Sequence, residues 1–362
     1  MLIVKWSAMG DVALSSTVFE DIANAYPDAE IDLNTLAPCD RLFVEDPRFA
    51  NIYTFDVRAA RGRWKQMWRW LKTMYRRRYD LIVDLQTTDR SRLLIALLML
   101  SGRGAPVRLG NDAGFPYTSG AVLENEAAHA LEIMRGNVNS GGIACNTERP
   151  VLHPGQAAVD RADALIKSNG LVSGDFAIML PGCQAGGYLK RWGTAHYSAL
   201  AHQLIANGMS HVVLLGGPDE VRECEQIASQ VGTGLVNLCG KTQLPDIAPF
   251  AAHARFIVAN DTGTAHLAAA ADRPMLIICG PTDPRRVRPA GTKVVTMQAE
   301  LPCINCYRKH CGHHSCMRLI SPESVYERVS DPVFQGDIPN QGGTSEREGP
   351  RARRRSSDGP VV

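Results

Sequence analysis

Short apolar runs alternate with longer stretches of helical periodicity along most of this chain. The runs at 2–6, 30–34, 51–55 and 80–84 are compact and bounded by turn residues, which predicts buried strands. Between them, 12–26, 64–78 and 90–100 repeat apolar residues every three or four positions, which predicts helices. The same rhythm returns further on. Helices are expected at 157–168, 195–206, 219–230, 247–252 and 322–329, and strands at 176–180, 211–215, 256–259 and 275–278. Alternation of this kind argues for the α/β class, with parallel sheets covered on both faces. Residues 145–154 carry Asn, Thr, Pro and His without a period and read as a linker. The expected division is therefore one domain at 1–150, a second at 151–334 and a tail at 335–362. The tail is rich in Gly, Ser, Pro, Glu and Arg, cannot bury a core, and is expected to be disordered.

Five of the expected strands run into short turns that precede helices, and these turns hold the candidate chemistry. After 256–259 comes Asn260-Asp261-Thr262-Gly263-Thr264-Ala265-His266-Leu267-Ala268-Ala269-Ala270. A helix opening there offers unpaired N–H groups and the positive end of a dipole, which suits phosphate. Gly263 lets the backbone come close to a ligand. Asp261 and Thr262 could equally be caps. After the first strand, Ser7-Ala8-Met9-Gly10-Asp11 offers a sharp turn at Gly10 and a carboxylate at Asp11. That carboxylate is either a helix cap or a general base on a hydroxyl.

Leu180-Pro181-Gly182-Cys183 is followed by Lys190-Arg191-Trp192. Lys190 could place a point charge on a diphosphate and Arg191 could fork onto two of its oxygens; the alternative is a solvated basic pair. In Leu214-Leu215-Gly216-Gly217-Pro218-Asp219-Glu220, Gly216 and Gly217 would admit a nucleotide and one of the two acidic residues could meet ribose hydroxyls. Gly280-Pro281-Thr282-Asp283-Pro284-Arg285-Arg286 is the fifth turn. A full Gly-x-Gly-x-x-Gly turn is missing after the first strand, which argues against hydride transfer.

Taken together, these pieces resemble glycosyltransferase family 9, the ADP-heptose:lipopolysaccharide heptosyltransferases. They follow the family's order, with Asn237-Leu238-Cys239-Gly240-Lys241-Thr242 between the third and fourth blocks, and span residue 1 to about 320. The Asp-Thr-Gly-x-x-His-Leu-Ala-Ala block is the most specific. The resemblance implies a GT-B architecture, two facing Rossmann-like domains with an interdomain cleft and the donor on the C-terminal one. It implies an inverting, metal-independent transfer that requires no cofactor. It makes Asp11 the general base and Lys190 the group that stabilises the departing diphosphate. Asp261 would meet the donor sugar, and Thr262, Gly263 and His266 would hold the diphosphate. Gly10, Arg191, Gly216 and Gly217 complete the expected substrate site. The competing readings are another nucleotide sugar or a protein acceptor on the same fold, or a non-catalytic nucleotide- or lipid-binding module.

Composition adds three points. The net charge of +2 over 362 residues favours no partner by itself, but its distribution does. Residues 62–79 hold Trp64, Trp68, Leu71 and Tyr75 in one helical row and Lys65, Arg69, Lys72 and Arg76 in another, with no acidic residue between Arg58 and Arg78. One reading is a surface helix packed by its aromatics. The others are recognition of an acidic lipid A-core acceptor or docking on the anionic inner leaflet. No nucleic-acid module accompanies the patch. Second, residues 1–5 form a strand rather than a leader and no apolar run is long enough to span a bilayer. A cytoplasmic protein is expected, peripheral on the cytoplasmic face of the inner membrane. Third, Cys303, Cys306, Cys311 and Cys316 are spaced C-x2-C-x4-C-x4-C, which reads as a structural zinc or iron site or as free thiols.

Overall fold

A computed structural model describes residues 1–57, 61–121, 129–183 and 185–336. The alternation resolves into two six-stranded sheets, parallel throughout. The first contains β1 (Leu2–Val4), β2 (Asp32–Thr35), β3 (Asn51–Thr54), β4 (Leu81–Asp84), β5 (Val107–Gly110) and β6 (Ser119–Gly120), in the order β3-β2-β1-β4-β5-β6. The second contains β7 (Phe176–Leu180), β8 (His211–Leu214), β9 (Leu235–Asn237), β10 (Phe256–Asn260), β11 (Met275–Cys279) and β12 (Val294–Gln298), in the order β12-β11-β10-β7-β8-β9. Each order reverses once, between β1 and β4 and between β7 and β10. Ligands of doubly wound sheets sit at the carboxyl ends of the strands at such a reversal.

The helices that matter here are α1 (Met9–Ala25), α2 (Arg63–Arg76), α3 (Asp89–Leu98), α4 (Ala130–Asn139), α5 (Gln156–Ser168), α6 (Thr194–Ala206), α7 (Val221–Val231), α8 (Ile247–Ala251) and α9 (Gly263–Ala268). Strands such as Phe176–Leu180 and Met275–Cys279 are buried at every position, which is why they read as unbroken apolar runs. One core cluster runs without a break from Ile3, Val12 and Phe19 beside the first sheet to Phe176, Phe250, Ala265 and Leu267 beside the second. Each large side chain buried this fully contributes on the order of 2 kcal/mol. The segment between α4 and α5 is pinned to α1: Asp21 accepts the N–H groups of Asn146 and Thr147, each at 3.0 Å, and the Thr147 hydroxyl at 2.7 Å.

Several expectations are corrected. The face that packs α2 onto the sheet is Met67, Trp70 and Met74, while Trp64, Trp68 and Tyr75 stand in solvent. Two apolar rows at helical spacing share that helix, and only one can face the core. Gln335 belongs to the folded part: it ends a short helix, Pro332–Gln335, and accepts from Arg255 at 2.9 Å. Residues 337–362, with the basic run Arg351 to Arg355, lie outside the described residues. β5, β6, β9, β12 and α4 were not expected.

Candidate active site

A cleft of about 1010 Å³ opens between the carboxyl ends of the two sheets and is lined from both sides. From the first come Ala8, Met9, Gly10 and Asp11. From the second come Cys183, Lys190, Gly216, Gly217, Glu220, Asp261, Thr262, Gly263 and His266.

The Asp11 turn is built by its neighbours. Gln86, just past β4, accepts the N–H groups of Trp6 at 2.8 Å and Ser7 at 3.1 Å. Asp84 is fully buried and holds Gln86 and Thr87 by their N–H groups, while the Tyr117 hydroxyl donates to it at 2.5 Å. Burial raises the Asp84 pKa. Asp11 itself accepts the Ala8 N–H at 2.9 Å, so the carboxylate caps α1 and lines the cleft at once. Beneath it lies Lys5, buried, with its ammonium on the Leu85 carbonyl at 3.1 Å. Burial lowers the Lys5 pKa, against the pull of Asp11 and Asp84. Lys5 and Asp84 passed as strand residues in the sequence, because nothing in an apolar run marks which polar side chain will be folded inward.

The opposing turn is held by Asn260, which is entirely buried at the end of β10. Its side chain donates to the Pro181 carbonyl at 2.5 Å and accepts from the Tyr197 hydroxyl at 3.1 Å and the Trp192 N–H at 3.3 Å. This frame fixes the Pro181–Cys183 turn and the loop that carries Lys190. Lys190 pairs with Asp261 at 2.7 Å, and Thr282 donates to the same carboxylate oxygen at 2.9 Å. Burial works against the Lys190 charge, but Asp261 outweighs it and raises the lysine pKa. A cation is therefore held ready next to the helix opening at Thr262–Gly263.

His266 is buried in the cleft wall, and its Nδ1 has no partner among the described residues. Burial lowers its pKa against the attraction of Asp261 and Asp11, which keeps the ring neutral. Gly10 and Gly263 let the α1 and α9 openings touch. A β-carbon on Gly10 would fall 2.9 Å from His266 Cδ2, and one on Gly263 would fall 3.2 Å from the Gly10 nitrogen.

Of the two acidic candidates after β8, Glu220 turns inward. Its carboxylate accepts the Gly217 N–H and its stem fills the space above Gly182. Asp219 stays exposed at the cleft edge. Arg191 binds Glu223 at 2.7 Å and the Cys183 carbonyl at 2.5 Å, and it is not among the residues that line the cleft. Its guanidinium is spent on bracing the turn.

The four cysteines of the C-x2-C-x4-C-x4-C run differ in exposure. Cys303 and Cys306 are exposed, Cys311 is half-buried and Cys316 is buried in the second sheet's core beside Met317. Among the described residues, no group of three or more His, Cys, Asp or Glu side chains is arranged to hold a metal ion. The loop also braces the site. His314 bonds the Leu189 carbonyl at 2.7 Å, next to Lys190, and the Tyr307 hydroxyl accepts from the Asp283 N–H at 3.2 Å.

Two doubly wound sheets that face each other across a cleft have the architecture of the GT-B class, and here a carboxylate lies on one wall and a lysine–carboxylate pair on the other. The chain belongs to glycosyltransferase family 9 (heptosyltransferase), whose sequence model matches residues 67–316. It is 25% identical to lipooligosaccharide heptosyltransferase 2 of Haemophilus influenzae over 351 residues, covering 91% of this chain and 98% of that one. Its fold matches the E. coli ADP-heptose lps heptosyltransferase II with a TM-score of 0.72 at 23% identity, over 93% of this chain and 99% of that one. It matches a family 9 glycosyl transferase from Veillonella parvula with a TM-score of 0.79 at 17% identity, over 93% and 97% of the two chains.

Proposed function

We propose that this glycosyltransferase moves a heptose from ADP-heptose to a lipopolysaccharide inner-core acceptor, with inversion and without a catalytic metal. The observation that carries the reading is the placement of Asp11 and the Lys190–Asp261 pair on opposite walls of one cleft, at two helix openings that touch. The names of the relatives supply the donor and the acceptor class.

In this reading the acceptor hydroxyl lies against Asp11, which takes its proton as the oxygen attacks the anomeric carbon. The bond from that carbon to the β-phosphate oxygen breaks on the opposite face, its electron pair leaves with ADP, and the configuration inverts. Lys190 meets the charge that grows on the diphosphate, helped by the backbone N–H groups of Thr262 and Gly263. Substrate binding would draw Lys190 away from Asp261, which frees that carboxylate for hydroxyls of the sugar. The open Nδ1 of neutral His266 supports a contact with the donor. Glu220 would meet ribose hydroxyls, with Gly216 and Gly217 admitting the nucleoside. The acceptor is taken to be an acidic lipid A-core, met at the cytoplasmic face of a membrane.

Isothermal titration with ADP, ADP-heptose, ADP-glucose and UDP-glucose, in buffer containing a chelator, tests the donor. The reading expects ADP and ADP-heptose to bind well above UDP-glucose. Preferential binding of UDP-glucose would overturn it.

A further inference from the structure

The helix α2 does not use its most conspicuous residues for packing. Trp64 is 71% exposed and Trp68 is 68% exposed, and Tyr75 continues the same row. The neighbouring α3 does likewise. It buries Leu94, Ile95 and Leu98 and leaves Leu93 and Leu97 in solvent, and Leu100, just beyond its end, is 72% exposed. The two rows lie side by side. Both helices pack on the same face of the first sheet through one core cluster, and the Arg103 guanidinium just beyond α3 sits 5.1 Å from the Tyr75 ring. Leaving this much aromatic and aliphatic surface in water has no role in folding, and a contiguous patch of this kind marks a contact site.

The charge around the patch says what covers it. Arg63, Lys65, Arg69, Lys72 and Arg76 lie on the same helix, and no Asp or Glu occurs between Arg58 and Arg78. A row of Trp and Tyr beside a row of Lys and Arg suits an interface with apolar chains below and anionic headgroups above. Each basic side chain near such a surface adds to the attraction. Among the described residues no helix is long and apolar enough to cross a membrane. α2 starts after the carboxyl end of β3, so Trp64 and Trp68, in its first two turns, stand at the cleft side of the sheet.

We infer that the exposed face of α2 and α3 docks on an anionic bilayer, with the aromatic and leucine rows entering the headgroup region and the basic row meeting lipid phosphates. The docked face stands beside the cleft, where a lipid-linked acceptor would enter. The purpose of docking rests on the proposed acceptor, but the binding itself can be read without turnover.

The test is co-sedimentation of the full chain with vesicles of phosphatidylglycerol and phosphatidylcholine, or of phosphatidylcholine alone, free of lipopolysaccharide. The wild type should sediment with the anionic vesicles and not with the neutral ones. Trp64→Ser/Trp68→Ser and, separately, Leu97→Gln/Leu100→Gln should each weaken binding by about tenfold or more. All three proteins should keep the same melting temperature and the same affinity for ADP. Failure of the wild type to bind anionic vesicles would overturn the inference. So would binding that falls with salt but ignores both double variants, which would leave only a diffuse basic attraction. Neither result would touch the donor assignment, which the ADP affinity reports separately.

Discussion

Asp11 combines two roles that compete in a sequence reading. Its carboxylate caps α1 through the Ala8 N–H and also lines the cleft, so the cap holds the proposed base in place. The lysine opposite is equally constrained. Lys190→Gln removes the charge proposed to meet the departing diphosphate and is expected to lower kcat by about 10²- to 10³-fold. Steady-state kinetics should show a smaller change in KM for the donor. His266 gives a pH signature. Burial lowers its folded pKa, so as pH falls the unfolded chain takes up the proton first, and the stability tied to the neutral ring is lost below about pH 6.5. His266→Gln should therefore lose less in melting temperature than the wild type between pH 7 and pH 5, as followed by thermal denaturation. At this scale the sequence marked Asp11, Lys190, Asp261 and His266 by their places in turns. It gave no warning that Arg191 would turn to Glu223, because a loop arginine has several carboxylates within reach and only the fold chooses among them.

At the scale of elements, the junction after β10 organises the donor side. Asn260 joins Pro181, Tyr197 and Trp192 at a point where none of them meets water. Asn260→Ala leaves the tyrosine hydroxyl and two backbone groups without that partner, and should cost about 1–3 kcal/mol in urea denaturation. It should also weaken ADP binding, since the Lys190 loop hangs from the same frame. The strands that were legible were those buried on both faces, such as Phe176–Leu180 and Met275–Cys279, whose apolar runs are unbroken. The missed strands lie toward the sheet edges. Val107–Gly110 has Val107 exposed, and Ser119–Gly120 has no large side chain to signal it. The helix α2 shows a different limit. Its sequence carries two apolar rows, and periodicity cannot say which one meets the sheet.

For the molecule as a whole, the decisive contact is the one between α1 and α9, where Gly10 and Gly263 let two helix openings approach. It brings the wall that carries Asp11 against the wall that carries Lys190. Gly10→Val would place branched carbons against His266 and should force the walls apart. Transfer should fall by more than tenfold while ADP still binds, as checked by comparing turnover with calorimetry. This long-range contact could not be read from the turns taken singly. Each was recognisable, but which turns would face each other follows from the two strand orders and from how the sheets meet.

We propose a heptose transfer in which Asp11 removes the acceptor proton. Its most direct test is ADP release from ADP-heptose, measured with a heptose-free lipid A-core acceptor, for the wild type and for Asp11→Asn. The wild type should show acceptor-dependent release. In the variant that rate should fall by about 10²- to 10⁴-fold while donor affinity stays within a few-fold. Undiminished turnover in Asp11→Asn, or no acceptor-dependent release by the wild type, would contradict it.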